Sequence, residues 1–367
     1  VLGSNGWHIA LQAVEDVNRA IPQFGTSSTP SGATTGTIET DISVAASALM
    51  SFLVSSVQLD TQSVITMFTE LVKLSAKSLP STEDAMPDFY LQRVMEAAQI
   101  NVTRLDIIWE PLRDHVLLAT KRKSPQIRNF VLTQLLELIV SVLCPSQATE
   151  KNTKELLIPE TLKSSREKLL DLQVPFIHLL EEVLTTTTFP DSRLKVLAAV
   201  HRIVQTSGTI IKSAWPETLS LLMASTRLGD KQVTVTAFQT VQLICTDLLQ
   251  WLPCGDKYGD CLSQFISTVS LYARQNDHVN ISLSSGELLW SVAFYVAKLV
   301  AYGTEQTEKE VAETPARVRA LWVQVFTELK DLAVDERFDV RSGATSILFR
   351  ALATHAPLFD GPTWEDC

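Results

Sequence analysis

The chain has 367 residues, of which 46% are hydrophobic, 7% aromatic and 20% charged, a composition that excludes disordered and fibrous classes and supplies a large core. Thirteen glycines and fifteen prolines fall below the usual share, which argues against an all-β fold with a turn every ten residues or so. Thirty-one Lys and Arg against 41 Asp and Glu give a net charge of −10, the wrong sign for holding nucleic acid or an anionic membrane.

Helical periodicity runs through almost the whole sequence. Residues 1–21 have neither the basic start nor the apolar run of a signal peptide. From Asp41, the residues Ile42, Ala45, Ala46, Leu49, Phe52 and Leu53 share one stripe. Asp60-Thr61 reads as a helix start, and Val64, Phe68, Leu71, Val72 and Leu79 continue the pattern. Breakers follow at Pro80, Pro87, Pro125, Pro145, Pro159, Pro190, Gly229-Asp230, Pro253 and Pro315. The strong strand-hairpin dipeptides Asn5-Gly6 and Asp360-Gly361 sit only near the ends. The most membrane-like stretch, 288–302, is interrupted by Ser291 and Lys298 and is too short to span a bilayer, so any membrane association is expected to be peripheral.

Tryptophans set the period of a degenerate repeat. From Trp109, Trp215 and Trp322, four residues on lie Arg113, Leu219 and Phe326, and seven on lie Val116, Leu222 and Leu329. Nineteen on come Arg128, Thr234 and Arg341, and twenty-six on come Leu135, Val241 and Leu348. The unit length of roughly 40–50 residues suits HEAT or armadillo repeats. The fold expected is therefore all-α: a HEAT/armadillo-like α-solenoid of about seven helical hairpins over residues 1–367, without a domain boundary. Residues 335–344, with Asp339 and Arg341 at the head of a second helix, resemble the HEAT signature, and these charges are expected to cross-link neighbouring repeats. Three segments break the rhythm: a flexible Gly/Pro/Ser/Thr-rich insertion at 22–40, and long polar loops at 144–165 and 303–314.

A search for chemistry returns little. No P-loop, G-x-G-x-x-G, G-x-S-x-G or H-E-x-x-H occurs, so no catalytic residue, cofactor or metal ligand is assigned. Cys254 and Cys261, with Asp256, Asp260 and His278 nearby, have the wrong spacing for a zinc knuckle. With Cys144, Cys245 and Cys367 they are too sparse for a disulfide framework, which points to a reducing interior. His201 lies on an apolar stripe, as a hydrogen-bonded core histidine does, and His178 with Glu181 and Glu182 reads as solvent-facing charge. Asn101-Val102-Thr103 and Asn280-Ile281-Ser282 match the glycosylation pattern, which a cytosolic chain leaves unused. Lys121, Arg122 and Lys123 form the one basic cluster, at a turn where an acidic partner or phosphate could dock.

Asn280-Ile281-Ser282-Leu283 followed by Leu288-Leu289-Trp290, and the helix Thr236-Ala237-Phe238-Gln239-Thr240-Val241-Gln242-Leu243 leading to Thr246-Asp247-Leu248, resemble stretches of the Mon-two proteins. Gly6-Trp7, Leu321-Trp322, 339–349 and Trp364 follow the same order of landmarks, and the resemblance thins between about 80 and 165. Mon-two proteins are related to the large Arf guanine-nucleotide exchange factors but lack their Sec-seven domain. The resemblance implies a C-terminal-side helical fragment of a non-catalytic scaffold on the cytoplasmic face of the trans-Golgi network and endosomes, acting in endosome-to-Golgi retrieval. It also implies Dopey-family proteins, an aminophospholipid flippase and Arf or Arf-like GTPases as partners. The alternative is the downstream regulatory region of a large Arf exchange factor, which residues 338–349 resemble nearly as well.

Overall fold

A computed structural model describes residues 3–24, 53–143, 171–253, 259–302, 315–359 and 361–366. No strand occurs among them, and helices dominate throughout. The chain resolves into two compact units, residues 1–172 and 173–367. The continuity expected for one solenoid passes through residues 144–170, which lie outside the described residues, as do 25–52 and the loop 303–314.

The first unit contains α1 (Ser4–Phe24), α2 (Thr61–Ser78), α3 (Phe89–Ile100), α4 (Leu105–Thr120) and α5 (Pro125–Leu143). Helix α1 runs through Pro22 to Phe24, so the first three residues of the expected insertion are helical instead. Asn5-Gly6 lies in its first turn, because a hairpin dipeptide turns the chain only between strand-forming segments. Asp60 caps α2 as expected, accepting from Ser63 N at 3.0 Å, and Asp88 caps α3 through Leu91 N at 2.8 Å. Glu70, 7% exposed, ties α1 to α2 by accepting from Ser4 Oγ at 2.6 Å and pairing with Lys73 Nζ at 2.7 Å. Helix α2 packs on α3 and α4, and α5 packs on α3 and α4. Helix α5, not 288–302, is the one described helix long and apolar enough to cross a membrane, with a mean hydropathy of 1.3. Yet 61% of that window is buried, through Ile127, Val131, Leu135, Leu138 and Ile139, as in the core helix of a helical stack.

The second unit contains α6 (Gln173–Thr186), α7 (Pro190–Ser207), α8 (Trp215–Ser225), α9 (Lys231–Leu243), α10 (Cys261–Ala273), α11 (Val279–Tyr302), α12 (Pro315–Leu332), α13 (Phe338–His355) and α14 (Gly361–Asp366). Pro190 and Pro315 open α7 and α12, where a missing N–H costs nothing. Asp230 caps α9 by accepting from Gln232 N at 2.9 Å, and Asp260 caps α10 by accepting from Ser263 N at 3.1 Å. Each helix touches its sequence neighbour in the pair and the equivalent helix of the next pair: α6, α8, α10 and α12 form one row, and α7, α9, α11 and α13 the other.

Two local features shape these rows. Helix α9 continues as a π-helical turn, Ile244–Leu248, and then a 3-10 turn, Leu249–Trp251. Leu248 from the π turn packs on Gly208, where an added Cβ would lie 2.7 Å from the Leu248 side chain and 2.5 Å from Val204 O. Where α11 meets α13, a Cβ on Gly286 would come within 3.0 Å of Ile347, and one on Gly343 within 3.1 Å of Leu283.

The tryptophan ruler marks the core. Trp109, Trp215 and Trp322 are all buried, as are Leu219, Phe326, Val116, Leu222 and Leu329 at the four- and seven-residue offsets. The Trp322 ring lies 5.7 Å from Phe326, 5.2 Å from His355 and 5.0 Å from Phe359, centroid to centroid. Truncating Trp322 to Ala removes the centre of this cluster. The expected loss is about 3–5 kcal/mol of stability, measured by chemical denaturation of the chain and its variant.

Candidate functional site

The basic turn is built by its neighbours. Helix α4 ends at Thr120, capped by Lys121, and Ser124, fully buried, precedes α5: its hydroxyl accepts from Ile127 N at 3.3 Å and donates to Ala85 O at 2.5 Å. Arg128, 4% exposed, reaches back and donates to the carbonyls of Arg122 at 2.8 Å and Lys123 at 2.5 Å. Arg122 is half-buried and donates to Ser81 Oγ at 3.2 Å, while Lys121 and Lys123 are exposed. The structure thus presents two lysine ammonium groups on a braced turn, and makes the third cation largely a structural tie.

One buried histidine lies seven residues behind that turn. His115 is 2% exposed, and neither ring nitrogen has a hydrogen-bond partner. Burial, reinforced by the Arg122 charge, pushes its pKa down to about 4 from 6.5. The folded chain therefore holds His115 neutral, and the unfolded chain binds the extra proton first. Stability is lost as pH falls from about 6.5 to about 4, by about 3 kcal/mol for this group alone. A His115→Leu variant should show a shallower fall over that window, read from denaturation midpoints at a series of pH values.

In the second unit a polar seam joins equivalent helices of successive pairs. Arg317 of α12 forks onto the carboxylate of Asp260, with Nε at 2.8 Å and Nη2 at 3.1 Å. Burial pushes the Asp260 carboxyl up, but Arg317 and the capped N–H groups outweigh it and hold the pKa below the ordinary value. Gln324 bonds Ser263 and Ser267 of α10, and Arg274 pairs with Glu328 at 2.6 Å and Asp331 at 3.2 Å. Tyr272, wholly buried, meets Ser225 Oγ at 2.7 Å and donates to Leu222 O at 3.0 Å, which joins α10 to α8.

The arginine that crosses between helix pairs is not the one the HEAT-like motif suggested. Arg341 donates to Asp335 O at 2.7 Å and Glu336 O at 3.3 Å, inside its own turn, repeating what Arg128 does for the basic turn. Asp339 is exposed. The cross-link falls to Arg337, which donates to Gln275 O at 2.7 Å, Ser282 Oγ at 2.9 Å and Ala273 O at 3.1 Å while Asp335 holds it at 2.8 Å. That pairing keeps the Asp335 carboxyl below its ordinary pKa. The reason is reach: a residue at the helix start points back over the turn, whereas one four residues later lies over its own turn's carbonyls. Arg337→Ala should therefore destabilise the chain more than Arg341→Ala, by about 1–3 kcal/mol, because it removes three hydrogen bonds to the neighbouring pair and leaves Asp335 without its arginine; thermal denaturation of both variants checks the order.

The remaining candidates resolve plainly. His201 Nδ1 meets Thr240 Oγ1 at 3.1 Å across the α7–α9 contact, and exposed His178 lies 3.9 Å from Glu181. Asn101 is 1% exposed and donates to Ser56 Oγ at 2.8 Å, so its amide is closed to modification in the folded chain. Cys254 and Asp256 lie outside the described residues, Cys261 is buried in α10, and Asp260 is engaged by Arg317. Among the described residues, no three His, Cys, Asp or Glu side chains converge as a metal site would require. Burial pushes the Cys245 thiol up to about 12, far from a nucleophile's range.

Paired helices stacked in rows and joined by a polar seam make an all-helical stack. A family model described as "Mon2/Sec7/BIG1-like, HDS" matches residues 161–243, and one described as "C-terminal region of Mon2 protein" matches 246–367. The human "Protein MON2 homolog" is 26% identical over 92% of this chain and 20% of its own length; the Drosophila melanogaster homolog is 26% identical over 100% and 22%. The mouse "Brefeldin A-inhibited guanine nucleotide-exchange protein 1" is 22% identical over 85% of this chain and 16% of its own length. No solved structure matches. The chain belongs to the Mon2 family, related to the BIG1-like exchange factors, and it spans about a fifth of the length of its curated Mon2 relatives.

Proposed function

We propose that this chain is a non-catalytic docking region of a Golgi and endosome trafficking scaffold, acting in endosome-to-Golgi retrieval. The observation that supports it most is the Mon2-type match along the chain, joined to a fold made of helix pairs in rows. On this reading the pairs are HEAT/armadillo-type repeats of an α-solenoid, and their exposed faces receive other proteins. The partners proposed are a Dopey-family protein, an aminophospholipid flippase and Arf or Arf-like GTPases, met on the cytoplasmic face of trans-Golgi and endosomal membranes.

Recruitment is assigned to proteins rather than lipid. Cations near an anionic surface contribute about 1 kcal/mol each, so exposed Lys121 and Lys123 supply about 2 kcal/mol, with Arg122 engaged by Ser81, before repulsion from the net −10. Similarity to the mouse exchange factor over 85% of the chain supports a second reading, the regulatory helical region of an Arf exchange factor. Exchange on Arf needs a Sec-seven domain, and no motif of that module occurs in these 367 residues. The purified chain should leave nucleotide release from Arf and Arf-like GTPases unchanged; a concentration-dependent acceleration, followed with a fluorescent guanine nucleotide, would overturn the scaffold reading.

A further inference from the structure

Charge is distributed unevenly over the second unit. Helices α7, α9, α11 and α13, which form one row, hold seven Lys and Arg against Asp191, Glu287 and Asp339, a net +4 within a chain of net −10. Asp191 and Asp339 sit in first turns at helix ends. Along the middle of the row the acid is Glu287, and Arg350 Nη2 answers it at 2.7 Å.

The row's solvent face is also aromatic where α11 meets α13. On α11 the exposed residues Glu287, Ser291, Phe294 and Lys298 recur at three- and four-residue steps, and on α13 Ser342, Ser346, Phe349 and Ala353 do the same. Phe294 is 47% exposed and Phe349 64%. Where the helices meet, the Arg350 guanidinium of α13 lies over the Trp290 ring of α11 at 4.5 Å, and within the α11 stripe Lys298 Nζ lies over the Phe294 ring at 5.0 Å. A guanidinium lying over a ring still directs its edge N–H groups outward in its own plane, and Glu287 accepts from one of Arg350's five.

We propose that the α11–α13 face docks an acidic peptide segment of a partner protein, one that also carries apolar or aromatic side chains. Its carboxylates meet Lys298 and Arg350, and its apolar side chains cover Phe294 and Phe349. On this face Lys298 and Arg350 stand against Glu287 alone, a balance of one net cation that favours an acidic occupant, and exposed stripes on two neighbouring helices suit an extended or helical segment. A bilayer fits less well: the cations cap Trp290 and Phe294 instead of leaving them as an apolar wedge, and the rest of the chain repels anionic lipid. This proposal rests on the scaffold reading, whose own failure would show as exchange activity and not in the binding assay below.

The test uses the full chain and a short fluorescein-labelled peptide of glutamates alternating with leucines and a phenylalanine, followed by fluorescence anisotropy. Its counterpart carries lysines for the glutamates. Saturable, salt-sensitive binding of the acidic peptide alone is expected, weakened about tenfold or more by Phe294→Ser and by Lys298→Glu with thermal midpoints unchanged. Lys298→Glu should also improve binding of the lysine peptide. Absence of acidic-peptide binding, or equal binding by both variants, overturns the proposal. Sedimentation with phosphatidylserine-containing vesicles that Lys298→Glu abolishes, without peptide binding, would assign the face to a lipid surface.

Discussion

A helix pair of thirty-odd residues cannot bury enough apolar surface to fold alone, and that shortage organises the second unit. Helix α10 shows the outcome: Leu262, Phe265, Ile266, Val269 and Tyr272 are all buried, because α8, α11 and α12 each cover part of its circumference. Apolar stacking alone leaves the axial register loose, since one turn of helix looks much like the next. Directional contacts supply the register. Tyr272 on the carbonyl of Leu222, Arg317 on Asp260 and Arg337 on Ala273 and Gln275 each fit one position and strand buried acceptors at any other.

The seam also explains how polar groups survive between helices without large desolvation penalties. Asp260 and Asp335 face arginines in geometries that satisfy both oxygens, and both remain charged below the usual carboxylate range. Trp215 and Trp322, by contrast, bury indole N–H groups that find no acceptor. At these positions ring packing outweighs an unmade hydrogen bond, in keeping with the large area an indole removes from water.

Much of this was legible in the sequence where a local rule decides the outcome. Asp60, Gly229-Asp230, Pro190 and Pro315 mark helix starts because capping and a missing N–H act within one turn. The tryptophan offsets marked core positions because burial follows helical phase. Pro22 misled because composition alone suggested a break there, while helix α1 continued to Phe24. The roles of Arg337 and Arg341 could not be separated by motif, since which turn's carbonyls an arginine reaches depends on packing between pairs. The α11–α13 face escaped notice because Trp290 and Arg350 lie sixty residues apart in sequence, and only the stacking of the two helices brings the guanidinium over the ring. Its two glycines, Gly286 and Gly343, are readable as close-approach positions only once the partner helix is known.

The π turn at Ile244–Leu248 has a consequence for how this chain tolerates length changes. Its wider winding takes in more chain per turn than α-helix does, so it stores about one residue's worth of slack between α9 and the Leu249–Trp251 turn. Deleting a single residue there would let ordinary helix re-form. Because the wide turn already takes up that residue, the chain beyond would keep its phase about the helix axis, and the half-exposed Trp251 its direction. Related chains that differ by one residue at this place would therefore present the same surface around Trp251, the length change being absorbed inside the turn.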